Sequence, residues 1–547
     1  MATLRAPGAS LTLDGGALRD LRIHGHRVLD AITVAARDAS WGTFPASVDA
    51  SVDGSAAALS GTHGDVFAWS GRVSVAPGEI RFTMRGRVLR DFDSRRVGVC
   101  LLHPLSLAGV DFHTDTGPGV FGMAINPGTP ASGFRRLQYD VGCPVEILLE
   151  GPAFEMEDHR NWSDPGWKSY CPPLSDPQPL RRHAGEEVVQ AVTIRARPSL
   201  VPVISLVGRG AVRLSLTGHS ASSLSHAHIP PAPAGHDPTS RGPGGSTQLL
   251  PAPAGHDPVS VALIGRGPDE LAAGARVLAG RPGLRRVAVF DPETHTTAPG
   301  SVELVRSVLR EHGCAAAVGG GSRAHLAELN RLDEIGDWDF CTFPITAQAH
   351  HSDDASILAT ARAMPAMIAT ARRILPGRPI VVGPLAFRRR VDANCPATPD
   401  DPPDDRETEP LGATYLLGAL LGLRGAEALE VLLATDGPSN ARPAPAEAPP
   451  SPHRPRGVSN TGLVVTASPG AALSSYGMTS PGVLLARLGA LRGRPFVDLP
   501  TGHPDVLAAT VLGGPVPMTL VANLGREPFE ILGHVVAGHG HLVVEQE

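Results

Sequence analysis

The chain has 547 residues, with 48 Lys plus Arg against 54 Asp plus Glu, a formal net charge of -6, and 62 Gly and 53 Pro. That length admits several domains. The small charge, with no Lys/Arg-rich run, excludes an electrostatic footprint for nucleic acid or an anionic membrane and leaves small neutral or weakly charged ligands as candidates. The first 13 residues show no leader pattern, and no apolar run approaches the ~18 residues of a membrane span, so a soluble, cytoplasmic protein is expected. The six cysteines (Cys100, Cys143, Cys171, Cys314, Cys341 and Cys395) form no Cys-x-x-Cys pair. That spacing speaks against structural zinc or a disulfide scaffold and predicts buried free thiols.

From residue 8 to about 205, short alternating runs are broken by Gly, Pro and Asp: Ser10-Leu-Thr-Leu13, Val73-Ser-Val75, Ile80-Arg-Phe-Thr-Met84, Val97 to Leu102, Val145 to Leu149 and Val188 to Ile194. Many short strands with regular turn signals predict a large antiparallel β-sandwich over 1–219. Residues 220–258 are rich in Ser, Pro, Gly and His and carry the same octapeptide twice, at Pro231 to Pro238 and Pro251 to Pro258. Such a composition cannot bury a core, and two copies make no solenoid, so a duplicated linker or insertion is expected.

The period then changes. Over 259–493, strand-like runs alternate with amphipathic helices: Val259 to Gly265 with Pro268 to Ala279, Arg286 to Phe290 with Val302 to His312, Ala315 to Gly319 with Ser322 to Asn330, and Phe340 to Ile345 with Ala355 to Ile374. Ile380 to Val382 and, after a Pro/Asp-rich loop, Leu411 to Leu423 continue the series, and Ala428 to Leu433 leads into a second Pro-rich loop. Repeated strand–helix units without a nucleotide fingerprint predict a TIM-like β/α barrel; no cofactor is expected, and no metal either, since the adjacent His350 and His351 would splay apart on a strand. Gly319-Gly-Gly321 lacks phosphate-loop spacing and reads as a tight turn. Leu484 to Leu491 reads as a last helix. Val506 to Leu512, Met518 to Asn523 and Phe529 to Val535 predict a small β domain over 494–547.

The densest polar-aromatic stretch is Phe154-Glu-Met-Glu-Asp-His-Arg-Asn-Trp-Ser-Asp-Pro-Gly-Trp-Lys-Ser-Tyr170. It holds Lys168, the only lysine beside 47 arginines. A compact ammonium that survives such a drift toward Arg points to a job that a flat guanidinium cannot do; the alternative is a stray surface lysine. Read as a strand, Phe154, Met156 and Asp158 share one face, and Glu155 and Glu157 the other. Asp164-Pro-Gly-Trp167 suits a type II turn, so Lys168 and Tyr170 would return beside the acids. Carboxylates with Arg160, Asn161, Lys168 and Tyr170, and Trp162 and Trp167 as flat walls, suit a polyhydroxylated ligand; the alternative is a structural hairpin held by ion pairs.

Barrel enzymes keep their chemistry at the C-terminal ends of strands, which adds Glu328, Asn330, His350, His351, Asp353, Asp354 and Asp436 as candidates. Glu328 also fits a helix-capping role, and Asp353 or Asp354 fits the N-cap of the helix near Ala355. No Gly-x-Ser-x-Gly elbow supports an acyl-enzyme route.

The 154–170 stretch closely resembles the signature of the D-apionate lactonase family. Trp41-Gly-Thr-Phe-Pro45, His103-Pro104, Gly319 to Arg331, the His350/Asp353-Asp354-Ala-Ser356 segment and Val521-Ala-Asn-Leu524 agree in order. The resemblance implies a sandwich, a barrel and a β domain, and an enzyme that opens D-apionolactone to D-apionate in apiose catabolism. Four departures stand out: His159 where Gln is expected, an unmatched segment at 105–140, the foreign insertion at 220–258, and Ala434-Thr-Asp-Gly437 where relatives carry a late-strand glutamate. The reading is a hydrolase of a small sugar-acid lactone, with Glu155 or Glu157 as base and Lys168, helped by Arg160 or Tyr170, stabilising the oxyanion. Asp158, Asn161, Trp162, Trp167, Glu328, His350 and Asp436 would bind substrate. The alternatives are a glycoside hydrolase with two barrel carboxylates, or a sugar-acid binder without catalysis.

Overall fold

The computed structural model describes residues 1–197, 259–388, 391, 404–423, 428–434, 462–465, 484, 496–511 and 518–545. The 220–258 repeat, Cys395, Asp436 and most of the helix expected at Leu484 to Leu491 lie outside the described residues. Contacts group the chain into two units, one of 1–159 with 166–224 and one of 160–165 with 225–547. The six residues 160–165 therefore leave the first unit, across a domain expected to run unbroken to 219.

The first unit is built from two nine-stranded sheets. One runs in the order Ala2–Ala6, Ala9–Asp14, Ala17–Ile23, His26–Asp38, Phe92–His103, Trp167–Tyr170, Phe154–Asp158 and Ala131–Phe134, with Leu180–Arg182 also pairing with Phe92–His103. The other runs Gly117–Val120, Asp111–Thr114, Arg136–Asp140, Pro144–Glu150, Glu187–Ala196, Glu79–Val88, Phe67–Ala76, Ala56–His63 and Ala46–Asp53. Alternation decides which side chains turn inward. Along Glu79–Val88 the buried set is Ile80, Phe82, Met84, Gly86 and Val88, the period of two that a pleated strand imposes. Inward residues of both sheets, among them Leu101, Phe134, Phe154, Met156, Val192 and Ile194, share one core. Helical structure among the described residues of the first unit is confined to a 3-10 turn at Leu105–Leu107 and the first residue of another, His159–Trp162, whose other three residues fall in the second unit.

In the second unit a parallel sheet runs in consecutive order through Val259–Ile264, Leu284–Phe290, Ala317–Gly321, Cys341–Thr346, Ile380–Ala386 and Ala428–Ala434, followed by an antiparallel Gly462–Val465. Consecutive order without a reversal is the barrel arrangement rather than the doubly wound one. Helices Gly267–Ala279, Ser301–Glu311, Leu326–Asn330, Asp354–Ile374 and Pro410–Gly422 follow the strands. Asp353 caps the fourth by accepting the Ser356 N–H at 3.0 Å, which satisfies a donor otherwise orphaned in the first turn. Helix Pro410–Gly422 is apolar almost all round, as a fully enclosed helix must be. It packs between Asp354–Ile374 and the strand Met518–Asn523.

That strand belongs to a four-stranded antiparallel sheet of Phe496–Asp498, Val506–Val511, Met518–Asn523 and His541–Glu545, which falls in the same unit. A buried ion pair, Arg362 to Asp505 at 2.7 Å, ties it to the long helix. The single run expected at Phe529 to Val535 is instead a hairpin, Phe529–Ile531 with His534–Val536. Its turn residues Leu532 and Gly533 have φ of 50° and 76°, the paired left-handed geometry of a two-residue hairpin turn. The Gly319 to Gly321 turn is corrected as well, since strand Ala317–Gly321 runs through all three glycines and the helix waits until Leu326. A Cβ on Gly321 would lie 1.8 Å from the Thr342 carbonyl oxygen, so the neighbouring strand's close approach needs glycine.

Candidate active site

The hairpin of Phe154–Asp158 and Trp167–Tyr170 lies inside the first sheet, flanked by Ala131–Phe134 and Phe92–His103. Register pairs Glu155 with Tyr170, Met156 with Ser169, Glu157 with Lys168 and Asp158 with Trp167. Phe154, Met156 and Trp167 turn into the sandwich core. Glu155, Glu157, Lys168 and Tyr170 therefore share the opposite face, and each is less than one-tenth exposed.

The connection is not the expected type II turn. It spans residues 159–166, begins as a 3-10 turn, and places its left-handed residue at Ser163, φ 69°. Gly166 serves another need, because a Cβ there would lie 2.1 Å from the His103 carbonyl oxygen. Two further expectations are corrected by strand parity. Trp167 is no ligand wall: it is 1% exposed and meets Phe121 edge to face at 5.1 Å in the core. Asp158, on the same side, accepts the Asn126 backbone N–H at 2.9 Å and so anchors a loop.

On the charged face Arg96 is the organiser, a residue that the sequence did not single out. Its guanidinium lies 4.2 Å from the Tyr170 ring centroid and 5.3 Å from that of Trp41, a cation held between two aromatic faces. It donates to Glu155 at 3.2 Å and to the Pro172 carbonyl. Glu155 also accepts from the Leu174 N–H at 3.0 Å and the Ser132 hydroxyl at 3.4 Å. Both of its oxygens are thus engaged.

Glu157 differs. One oxygen, Oε2, accepts from the Tyr170 hydroxyl and lies 3.3 Å from His159 Nε2, while no described residue hydrogen-bonds to Oε1. Burial alone would raise this carboxyl, but the hydrogen bond and charge of His159, with Tyr170 and Arg96, hold it at about 2. Glu155 is pushed the other way: burial raises its carboxyl and the Glu157 charge adds to that, against the pull of Leu174, Arg96 and Ser132. Burial and the adjacent Glu157 raise the Tyr170 phenol well above its ordinary range. Two carboxylates on one strand face are thereby driven apart in proton affinity, the pattern that assigns distinct roles to paired acids. His159, noted in the sequence only as a departure from Gln, turns out to touch both Glu157 and Tyr170, at 3.3 Å each.

The remaining candidates lie in the second unit. Arg160 is fully buried. The Asn161 side-chain oxygen accepts from Asn330 at 3.1 Å, and the Trp162 ring has the Arg331 guanidinium 5.0 Å from its centroid and His350 edge-on at 6.1 Å. His350 Nδ1 pairs with Asp164 Oδ2 at 2.6 Å, beyond the end of strand Cys341–Thr346. Glu328 is engaged by its own helix. Its Oε2 accepts from the His325 N–H at 2.8 Å and the Ser322 hydroxyl at 3.5 Å, a capping role at the start of helix Leu326–Asn330. Asp354 accepts from Arg406 at 2.6 Å.

A double-sheet sandwich bearing a buried face of acids, lysine and tyrosine, followed by a parallel β/α domain and a small β sheet, defines the architecture as a multidomain sandwich-plus-barrel protein. Family models agree: one described as "D-apionate lactonase, N-terminal domain" matches residues 1–199, and "D-apionate lactonase, TIM barrel domain" matches residues 265–466. The chain belongs to the D-apionate lactonase family, as a divergent member. A curated D-apionate lactonase of Brucella anthropi is 25% identical over 457 residues, covering 73% of this chain and 75% of its own length. Among solved structures, a galactose mutarotase related enzyme of Lactobacillus acidophilus overlaps 36% of this chain and 97% of its own, at 5% identity and a TM-score of 0.28. A glycoside hydrolase family 97 variant from Pseudoalteromonas sp. strain K8 overlaps 72% and 67%, at 9% identity and a TM-score of 0.24.

Proposed function

We propose that the protein is a cytoplasmic lactonase of carbohydrate catabolism that opens a small sugar-acid lactone, D-apionolactone or a close relative, to its aldonate. The observation that carries this reading is the buried face of Glu157, His159, Lys168 and Tyr170 in a chain of the D-apionate lactonase family. Geometry, and not proton affinity, separates the two candidate bases. Glu155 is tied at both oxygens and secures Arg96, whereas Glu157 keeps one oxygen without a hydrogen-bond partner among the described residues and has His159 at its other.

Water's oxygen bonds to the ring carbonyl carbon while its proton passes to the Glu157–His159 pair. The Lys168 ammonium stabilises the tetrahedral oxyanion that forms. Collapse breaks the ring C–O bond, and the leaving alkoxide recovers the proton from the pair. The carboxylic acid produced then ionises, so each turnover releases one proton to solution. Purified protein should therefore acidify an unbuffered D-apionolactone solution faster than solvent alone. No acceleration with that lactone or with related aldonolactones would overturn the reading.

A further inference from the structure

In the second unit, strands Leu284–Phe290 and Ala317–Gly321 lie side by side and end together. The loops that follow them are stapled to each other. Thr297 N–H donates to the Gly321 carbonyl at 3.2 Å, Gly321 N–H donates to the Thr297 hydroxyl at 2.8 Å, and that hydroxyl donates to the Val289 carbonyl at 2.7 Å. On this frame Arg323 donates its backbone N–H to the His295 carbonyl at 2.9 Å and its Nε–H to His295 Nδ1, also at 2.9 Å. His295 is 1% exposed and sits at φ 59°, a left-handed backbone that a non-glycine residue adopts at a cost. The fold thus spends strain to set an imidazole against one guanidinium.

The pairing contrasts with the ion pairs that several arginines of this unit make. Arg306, Arg362, Arg388 and Arg406 each meet a carboxylate, at Asp339, Asp505, Glu407 and Asp404 respectively. Arg323 instead meets a ring nitrogen that accepts a hydrogen bond, hence carries no proton and no charge. Its two terminal amino groups have no hydrogen bond or ion pair among the described residues. Asp291 is near enough to act on its charge but makes no ion pair with it, and Asp291 Oδ1 is occupied by the Glu293 and Thr294 N–H groups. Burial accordingly weighs against the Arg323 charge. A half-buried guanidinium whose Nε is fixed by a neutral partner presents a rigid fork of donors with no carboxylate on it among the described residues, at the strand ends where barrel proteins bind their ligands.

We propose that Arg323, positioned by His295, is the binding site for the carboxylate of a sugar acid in this second unit. The assignment of the ligand as a sugar acid rests on the lactonase reading; the assignment of an anion site does not. A carboxylate matches the fork with two parallel N–H···O bonds, and the polyol that carries it is small and neutral elsewhere.

The test is calorimetric titration of the full chain with D-apionate, beside inorganic phosphate and the corresponding neutral polyol. Wild type should bind the aldonate and not the polyol, and Arg323→Met should weaken aldonate binding by about 30-fold or more with its melting temperature kept. Arg323→Lys should also lose most of the affinity, since an ammonium cannot hold His295 and fork a carboxylate at once. His295→Leu should weaken binding through Arg323, and His295→Asn, which tolerates the left-handed backbone and keeps an acceptor, should restore part of it. Aldonate affinity within twofold of wild type in Arg323→Met would overturn the site, and phosphate bound as tightly as aldonate would overturn its assignment to carboxylate. If aldonate binding depends on Arg323 while no lactone is hydrolysed, the site stands and the lactonase reading falls.

Discussion

The two faces of strand Phe154–Asp158 are equally hidden from water yet hold together by different physics. Phe154 and Met156, both 0% exposed, are packed among the aliphatic and aromatic side chains of the sandwich. One residue away in each direction, Glu155 and Glu157 are buried among Arg96, His159 and Tyr170. The first face is stabilised by removing apolar surface from water and by close packing. The second bears charges whose desolvation must be offset by fixed partners, and it keeps one carboxylate oxygen, Glu157 Oε1, out of that network. Burial by itself therefore does not distinguish core from site; strand parity and the partner list do.

Substitutions that cut one face and spare the other test that contrast. The largest effect is expected from Phe154→Ala, which should cost about 3–5 kcal/mol in a denaturant melt by leaving a cavity in a close-packed core, whatever it does to turnover. Lys168→Met should do the reverse, lowering turnover ~100-fold or more with the melt little changed, in line with loss of an oxyanion donor. Lys168→Arg should be nearly as harmful despite keeping the charge, because the planar head does not fill the place of an ammonium. A fully active Lys168→Arg enzyme would remove lysine from the mechanism.

The pH dependence of stability sharpens the charged side of the contrast. The Glu157 carboxyl is held at about 2 against an ordinary 4.5. A depressed carboxyl contributes stability that is present above the ordinary value and lost as pH falls through the window from 4.5 toward 2. Melting temperatures of wild type and Glu157→Gln should therefore converge as pH falls through that window, whereas a constant gap between them would remove Glu157 from the ion network.

Smaller effects mark the positions that parity and local capping reassign. Trp167→Phe, a core change that keeps an aromatic ring against Phe121, should cost about 1–3 kcal/mol of stability with KM for the lactone unchanged; a large rise in KM would return Trp167 to the substrate wall. Glu328→Ala should cost about 1 kcal/mol, the size of a lost helix cap. Its turnover should stay within a few-fold of wild type.

Much of this architecture was legible in the residues alone. Period-two runs such as Ile80 to Met84, and strand–helix alternation from Val259 to Leu423, follow from which side chains must leave water, and that is written in the order of residues. The pairing of Glu155 with Glu157 on one face, and of Lys168 with Tyr170, was legible for the same reason, because a strand fixes side-chain direction by parity; the register of the hairpin joined the two pairs. What the sequence left open was set by neighbours distant in the chain. Arg96 comes to Glu155 from 59 positions away, and the Trp41 ring lies against that arginine from the loop after strand His26–Asp38. The turn at Asp164 to Trp167 had the right residues for one conformation and took another, with the left-handed residue at Ser163 and Gly166 needed instead for the close approach of the His103 carbonyl. Arg323 carried no local mark either, because its pairing with His295 rather than with a described carboxylate exists only once the loops after two adjacent strands are brought together. Local order dictates periodicity and direction; the partner that a buried charge finds, or lacks, is decided only when the chain closes around it.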